Sequence, residues 1–339
     1  MSNVSTAAGA WSLNMSATFA QSLSFNSTWL LNMTTLAQSK TENETLAHNP
    51  AWGIVDLVSG ANMQMVNDPT SSGNQTPVLK VNYPAGSYQS PLDTKDNSTV
   101  MGSAPGGAQF YFHPHSVTAS RALLEYEIYI SPNFEFNQGG KLPGLFGSDG
   151  RVGNMCNGGE VSDGTTCWSM RLMWRAGGNG EAYAYLPVAE NNQMCGSKNI
   201  ICSSIYGSSI NRGAFQFTTG KWISLSIFVQ LNTPGLSDGS IVVYTDKGQN
   251  RAISRGNVVY RAKSTTDKSL LIQSIMFSTF YGGHTGDWAA PVSTWVLFRN
   301  MQISMANDRI ANRASGLFST MSLWIVSVAS LISLVIALW

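Results

Sequence analysis

The residues best suited to chemistry lie in three consecutive segments near the middle of the chain. GGKLPGLFG carries Lys141, SMRLMWR carries Ser169 and Arg171, and EAYAYLP carries Tyr183 and Tyr185. β-Elimination from a uronic acid needs a group that neutralises the C5 carboxylate, a base for the C5 proton and an acid for the departing C4 oxygen. Arginine neutralises a carboxylate through its planar fork of donors, and tyrosine serves as base or acid where nearby cations lower its pKa from about 10. The serine hydroxyl is suited to hold a substrate oxygen.

Strand alternation predicts that these groups meet on one face of a sheet. In SMRLMWR the apolar residues alternate with Ser169 and Arg171, so the apolar face is expected in the core and the polar face opposite it. The glycine-rich AGGNG segment predicts a hairpin turn before EAYAYLP. An odd number of loop residues places Arg171 across the sheet from Tyr183 and Tyr185, whereas an even number places them on opposite faces.

The elements that must position these groups are short strands. Alternating runs separated by Gly, Pro, Asn and Asp extend from about Ala51 to Ser304 and predict an all-β jelly roll, a two-sheet antiparallel sandwich. Clear strand patterns cover Ala122–Ile130, Trp222–Asn232, Ile241–Thr245, Ser269–Phe280 and Trp295–Ile303. Charged residues make up 12% of the chain and the net charge is +1, so nothing in the composition suggests nucleic-acid binding, which needs a basic stripe.

Composition divides the chain into four parts. Residues 1–48 are rich in Ser, Thr and Asn and are expected to form a glycosylated extension, partly helical around Trp29–Gln38. Residues 49–305 form the predicted jelly-roll domain, which is expected to be monomeric. Residues 306–322 are a linker with small residues, and residues 323–339 are a hydrophobic tail.

Sequons and cysteines indicate the secretory route. Seven N-x-S/T sequons fall in the first hundred residues, at Asn3, Asn14, Asn26, Asn32, Asn43, Asn74 and Asn97. The four cysteines predict two local disulfides, Cys156–Cys167 and Cys195–Cys202, if the compartment is oxidising. Four reduced, buried cysteines are the alternative.

The C-terminal tail predicts a membrane attachment. Residues 323–339 are apolar and uncharged, and small residues with a polar spacer precede them. This order is typical of a GPI-attachment signal, with a plain tail-anchor helix as the alternative. Residues 1–30 lack the basic segment followed by an apolar segment that is typical of a signal peptide. An extracellular or cell-surface location is nevertheless expected.

Longer stretches around the candidate residues resemble polysaccharide lyase family 14, which contains alginate lyases and related enzymes that cleave uronic-acid polymers. The matching segments are GGKLPGLFG, SMRLMWR, EAYAYLP, YPAGSYQSP, INRGAFQF, GKWISLSIFVQLN and FSTFYGGHTGDWAAP. The resemblance covers about residues 50–305 and implies a jelly roll with a concave glycan cleft, an acidic polysaccharide as substrate and no cofactor. It implies a catalytic set of Lys141, Ser169, Arg171, Tyr183 and Tyr185.

Four other polar residues are candidates for binding the substrate. Asn211 and Arg212 in INRGAF are expected to line the cleft and bind carboxylates, His113 to line the cleft and His284 to lie at its rim. His113 and His115 stand two apart, but no third ligand is evident, so no metal site is predicted.

Two other functions use the same scaffold. A non-catalytic protein could bind an acidic glycan through the same arginine, lysine and tyrosines, although binding alone does not need the tyrosine pair. A glycoside hydrolase needs two carboxylates at a set separation, for which Glu125 and Glu127 are the nearest match. The predicted function is therefore a polysaccharide lyase, with the glycan-binding protein as the alternative.

Overall fold

Alternating sequences of apolar and polar residues form sixteen strands in the described part of this computed structural model. The structure describes residues 19–25, 27–30, 54–71, 76–88, 106–113, 118–150, 155–283 and 285–308. The strands are β1 (Thr28–Leu30), β2 (Ile54–Val58), β3 (Met63–Asn67), β4 (Pro77–Tyr83), β5 (Ala108–Phe112), β6 (Arg121–Ile130), β7 (Gly139–Ser148), β8 (Cys167–Arg175), β9 (Asn179–Tyr185), β10 (Ile200–Ile201), β11 (Ser208–Gln216), β12 (Trp222–Gln230), β13 (Gly239–Thr245), β14 (Asn250–Val258), β15 (Ile272–Tyr281) and β16 (Thr294–Ala306). Residues 19–22 and the segment Asn192–Cys195 are helical, and five single 3-10 turns connect strands of the described part.

The strands form two eight-stranded antiparallel sheets. The back sheet has the order β14-β13-β12-β6-β16-β4-β3, with β1 also paired to β16. The front sheet has the order β10-β11-β9-β8-β7-β15-β5-β2. The sheets face each other across one hydrophobic core, which confirms the predicted jelly-roll sandwich.

Alternation along each strand decides which side chains enter the core. On β6 the even-numbered residues 124–130 are buried in the core, and the odd-numbered residues 225–229 of the neighbouring strand β12 lie beside them on the same face of the sheet. Each pattern is the one that the sequence predicts. Because inward residues alternate with outward ones, the polar positions of β8 and β9 must lie on the outer face of the front sheet.

Part of the predicted N-terminal extension packs on the back sheet. The helix predicted from Trp29 onward is wrong at its start, because Thr28–Leu30 is a strand that pairs with Gln302–Ser304. Phe25 is buried against the Phe228 ring. Pairing with an existing strand edge outweighs the weak local helix preference of so short a segment. Residues 31–38 lie outside the described part.

Both predicted disulfides are present. Cys156 is bonded to Cys167, and Cys195 is bonded to Cys202. The sequon asparagines and the hydrophobic tail lie outside the described residues. Within the described ranges, no helix is long and apolar enough to cross a membrane.

Candidate active site

A cleft of about 440 Å³ opens on the outer face of the front sheet. Four of the five predicted catalytic residues line it, namely Lys141, Arg171, Tyr183 and Tyr185. The remaining lining residues are Asn157, Gly158, Met173, Arg175, Ile201, Ser203, Tyr206, Gly207, Ser209, Arg212, Phe280, Gly283, Thr285 and Trp288. Strands β7, β8, β9 and β11 form the floor, and the two disulfide-closed segments contribute to the wall.

The hairpin between β8 and β9 brings arginine and tyrosine together. Its loop is the three-residue segment Ala176–Gly178, in which Gly177 and Gly178 have positive φ angles of 68° and 82°. Three is an odd number, so Arg171 pairs directly with Tyr183. Backbone positions with positive φ disfavour residues that carry a Cβ, which explains why the turn contains glycines. The predicted condition for a shared face is met.

A bulge in β7 turns Lys141 toward the cleft. The register with β8 shifts between Leu142 and Gly144, so Pro143 has no partner across the ladder. Proline cannot donate to a ladder, and inside a sheet it is found at edges and bulges. The extra residue lets Leu142 and Leu145 both face the core while Lys141 faces outward.

The ammonium group of Lys141 contacts a thioether and an aromatic ring. Its Nζ donates a hydrogen bond to Met173 Sδ at 2.9 Å and lies 3.8 Å from the centre of the Tyr183 ring. Burial and the neighbouring Arg171 and Arg175 hold the pKa of Lys141 well below its ordinary value of 10.5. The folded protein therefore disfavours the charged form of Lys141 relative to water.

Arg171 is buried and incompletely bonded. Its Nη1 donates to Ser278 Oγ at 3.2 Å, and that hydroxyl donates to Gln109 Oε1 at 2.9 Å. Its Nε has no hydrogen-bond partner among the described residues. Burial lowers the pKa of Arg171, while the tyrosines around it act in the opposite direction. The guanidinium thus retains donors for a ligand that enters the cleft.

The two tyrosines differ in environment. Their ring centres are 5.9 Å apart and nearly perpendicular. Burial raises the pKa of Tyr183 above its ordinary value, and the lowering by Arg171 and Arg175 is smaller. The expectation of a net lowering of the pKa by nearby cations is therefore wrong for Tyr183, because removal from water penalises the phenolate more than the cations favour it. The Tyr185 Oη accepts the Gly159 N–H at 3.2 Å.

Glu181 is a site residue that the sequence analysis missed. It is buried, and its carboxylate accepts hydrogen bonds from Arg175 Nε at 2.8 Å, Arg212 Nε at 2.8 Å and Ser209 Oγ at 2.6 Å. These donors lower the pKa of Glu181 despite its burial. Its place two residues before Tyr183, on the same strand face, was the available signal.

Ser169 is placed differently from the other candidates. It is fully buried, and its hydroxyl donates to the Cys156 carbonyl at 2.6 Å instead of lining the cleft. It shares the outer face with Arg171 and pairs with Tyr185. The loop that ends at Cys167 covers this position.

The predicted substrate-binding residues are split by a bulge in β11. The register with β9 is interrupted between Ile210 and Phe215, and Asn211 has a positive φ of 55°. Arg212 lines the cleft, whereas Asn211 Oδ1 accepts from Arg255 Nε at 2.7 Å and is not a lining residue.

The two histidines do not extend the site. His113 Nδ1 is bonded to the Gln273 carbonyl at 2.7 Å, and His113 is not a lining residue. His284 lies outside the described residues. In the part of the chain that the structure describes, no group of three or more His, Cys, Asp or Glu residues could hold a metal ion.

The carboxylates considered for a glycoside hydrolase belong to the other sheet. Glu125 and Glu127 lie on β6, where Gln302 Nε2 donates to Glu125 at 2.6 Å and Arg299 Nε to Glu127 at 2.7 Å. Neither lines the cleft. The pair required by the hydrolase alternative is therefore absent from the cleft of the described residues.

Comparison with known proteins agrees with this architecture. The family profile of polysaccharide lyase 14 matches residues 71–301. The crystal structure of a PL-14 alginate lyase from Aplysia kurodai is 31% identical, with a TM-score of 0.67 over 82% of this chain and 98% of that one. The alginate lyase vAL-1 from Chlorella virus is 20% identical with a TM-score of 0.55, over 79% of this chain and 99% of that one, and so shares the fold.

A curated relative extends the comparison to a longer protein. Exolysin of Paramecium bursaria Chlorella virus 1 is 27% identical over 241 residues, which are 63% of this chain and 35% of the relative. This chain thus spans about a third of that relative's length. Because the family profile covers most of the folded residues, the chain belongs to polysaccharide lyase family 14.

Proposed function

We propose that this protein cleaves an acidic, uronic-acid polymer of the alginate or glucuronan type by β-elimination and leaves 4,5-unsaturated uronide ends. One observation carries the proposal: two cations without a carboxylate partner lie beside two tyrosines on the floor of an open cleft. Among the described residues, no carboxylate forms an ion pair with Lys141 or Arg171. The alginate lyases with the same fold support the substrate class.

The charge balance of the cleft favours an anionic ligand. Glu181 is the acid that acts electrostatically on Lys141, and it is already paired with Arg175 and Arg212. A buried cation without a counter-ion is costly, so such an arrangement is unusual outside functional sites. The C5 carboxylate of a uronide would supply the missing negative charge to Arg171 and Lys141. Neutralising that carboxylate is the first requirement of β-elimination.

The tyrosines supply the two proton transfers. Tyr183 remains protonated because burial raises its pKa, so we assign to it the acid that protonates the departing C4 oxygen. Tyr185 accepts a backbone N–H at its oxygen and has the Arg171 guanidinium 5.9 Å from its ring centre. A backbone donor and a guanidinium thus lie beside this phenol, and we assign to Tyr185 the base that removes the C5 proton.

Arg212 is the best candidate for a neighbouring sugar. Its side chain is 45% exposed at the cleft and retains unused donors beyond its bonds to Glu181 and to Ser209 Oγ. A second uronate along the polymer would meet this guanidinium. Asn211 and His113 make hydrogen bonds elsewhere, so the substrate-binding role is proposed for Arg212.

The location of the protein is also a proposal. The two disulfides support a chain that folds in an oxidising compartment, since disulfides are rare in the reducing cytosol. We propose an extracellular or cell-surface protein, glycosylated near its N-terminus and held by a C-terminal lipid anchor or tail.

The test is incubation with alginate, polymannuronate and glucuronan while the ultraviolet absorbance of the unsaturated product is followed. Signal on one polymer, lost in Tyr185→Phe and in Lys141→Ala, would support the proposal. Tyr129→Phe is the matched control, because it removes a phenol from the outer face of the back sheet. Binding of all three polymers without cleavage by the unaltered protein would instead favour a glycan-binding protein.

A further inference from the structure

The loop between Cys156 and Cys167 contacts Tyr185 through its backbone. The Gly159 N–H donates to the Tyr185 Oη at 3.2 Å. Asn157 and Gly158 of the same loop line the cleft. A backbone donor differs from a side chain because its position is set by the whole loop. The geometry of this loop therefore decides where a donor meets the phenol oxygen.

Three contacts hold this loop in place. The disulfide joins Cys156 to Cys167, which is the first residue of β8. The Ser169 hydroxyl donates to the Cys156 carbonyl at 2.6 Å, and the Ser162 hydroxyl donates to the Cys167 carbonyl at 2.6 Å. The loop is thus anchored at both ends to the strand that carries Arg171.

The backbone of the loop has an unusual conformation. Cys156, Gly158 and Gly159 have positive φ angles of 49°, 55° and 89°. Glycine adopts such angles freely, whereas a cysteine with positive φ is uncommon and needs surrounding contacts to hold it. The disulfide and the Ser169 hydrogen bond are contacts of this kind. Without them we expect the loop to relax and Gly159 to move away from Tyr185.

We infer that the disulfide-closed loop is a positioning element for the proposed reaction, in which it holds the Gly159 N–H as a hydrogen-bond donor to the Tyr185 oxygen. A hydrogen bond to an ionised acceptor is about twice as strong as one to a neutral acceptor. A donor held at an oxygen that loses its proton during the reaction is therefore worth more once the proton has left. This inference rests on the base role proposed for Tyr185.

The same inference assigns a role to Ser169. Its hydroxyl is fully buried and already donates to the Cys156 carbonyl, so a substrate oxygen would have to displace that bond. Ser169 is then a positioning residue that acts through the loop on Tyr185. The resemblance to the family implied a place for this serine in the catalytic set, and the loop supplies a physical reason for it.

The first test is the pH profile of kcat/KM in Cys156→Ser/Cys167→Ser. Loss of the donor should move the ascending limb of the profile to higher pH by about one unit, which is the difference between a charged and a neutral hydrogen bond. Cys195→Ser/Cys202→Ser removes a disulfide from a separate loop and should leave the limb in place. A purely structural disulfide would lower activity equally at every pH.

A second pair of variants covers the case in which the cysteine variant does not fold. Ser169→Ala removes the hydroxyl that anchors the loop, and Ser131→Ala removes an equally buried hydroxyl that bonds Thr294 at 2.6 Å. Ser169→Ala should move the ascending limb in the same direction, and Ser131→Ala should not. Unmoved limbs in folded Cys156→Ser/Cys167→Ser and Ser169→Ala would overturn the inference.

An independent readout separates this inference from the proposed function. The Gly159 amide proton, observed by NMR in the full chain, should move downfield as pH rises, and Tyr185→Phe should abolish the movement. An amide proton that does not respond overturns the inference even if the protein is a lyase. A responding amide proton in a protein that cleaves no uronan supports the hydrogen bond and refutes the proposed function.

Discussion

Lys141→Met should make the protein more stable and less active. Lys141 is 8% exposed, and its ammonium has a thioether and an aromatic ring as neighbours in place of a carboxylate. Removing a charge from water costs several kcal/mol, of which a cation–π contact returns about 2 kcal/mol. Methionine fits a similar volume and gains about 1.5–3 kcal/mol from burial. We expect the free energy of unfolding to rise by about 1–3 kcal/mol near neutral pH.

The sign of the pH dependence follows from the lowered pKa of Lys141. Between that pKa and the value of about 10.4 in the unfolded chain, the unfolded chain keeps a proton that the folded protein has released. The free energy of unfolding of the unaltered protein therefore rises with pH in this window. The advantage of Lys141→Met is largest below the lowered pKa and shrinks as pH approaches about 10.

Urea unfolding followed by tryptophan fluorescence, at neutral and alkaline pH, measures this difference. Lys80→Met is the matched control, because Lys80 is a half-buried strand lysine 5.3 Å from the Trp295 ring on the back sheet. It should change stability by less than about 0.5 kcal/mol. Activity of Lys141→Met on a uronan should fall by about 10²–10³-fold. A variant that is less stable than the unaltered protein, or an advantage that grows with pH, would refute the reasoning.

Three further changes test other parts of the site and its scaffold. Tyr185→Phe should lower kcat by about 10²–10⁴-fold with polymer binding retained, as measured by steady-state kinetics and calorimetry. Glu181→Gln should lower the free energy of unfolding by about 1.5–3 kcal/mol at neutral pH. Because the pKa of Glu181 is lowered, its contribution to the free energy of unfolding is complete above about pH 4.3 and is lost as pH falls through the lowered pKa. Urea unfolding at a series of pH values measures this loss. Gly144→Ala should destabilise the folded protein by about 1–3 kcal/mol in thermal unfolding, because an added Cβ would lie 2.0 Å from the Met170 carbonyl oxygen. Gly256→Ala is the control, since its added Cβ meets open space. Equal stability of the two variants would contradict this prediction.

The outer face of the front sheet combines rigidity with access to solvent. Its floor is made of paired strands, so Arg171 and Tyr183 are held at neighbouring ladder positions. Its wall is made of loops closed by disulfides, which have fewer conformations than open loops of the same length. Long polymers need an open cleft, and exact placement of the reacting groups needs a rigid floor.

The amino-acid sequence determined the fold class and the shared face of the main site residues. Alternation on β6, β8 and β12 identifies the core side, because the period of two is a property of the extended chain itself. The glycines between β8 and β9 predict the hairpin, and a three-residue loop brings Arg171 opposite Tyr183. The two disulfides were also predictable from the sequence, because the two cysteines of each pair lie within one short segment.

Tertiary structure alone decided the features that depend on distant segments or on the amount of water around a group. The bulges at Pro143 and after Ile210 break the simple alternation, so Arg212 enters the cleft and Asn211 does not. The raised pKa of Tyr183 depends on how deeply its side chain is buried, which the strand pattern does not predict. The position of Ser169 depends on a loop that begins thirteen residues earlier and folds back over the sheet. Local periodicity follows from backbone geometry, whereas hydrogen-bond partners and pKa values follow from every atom that packs around a group.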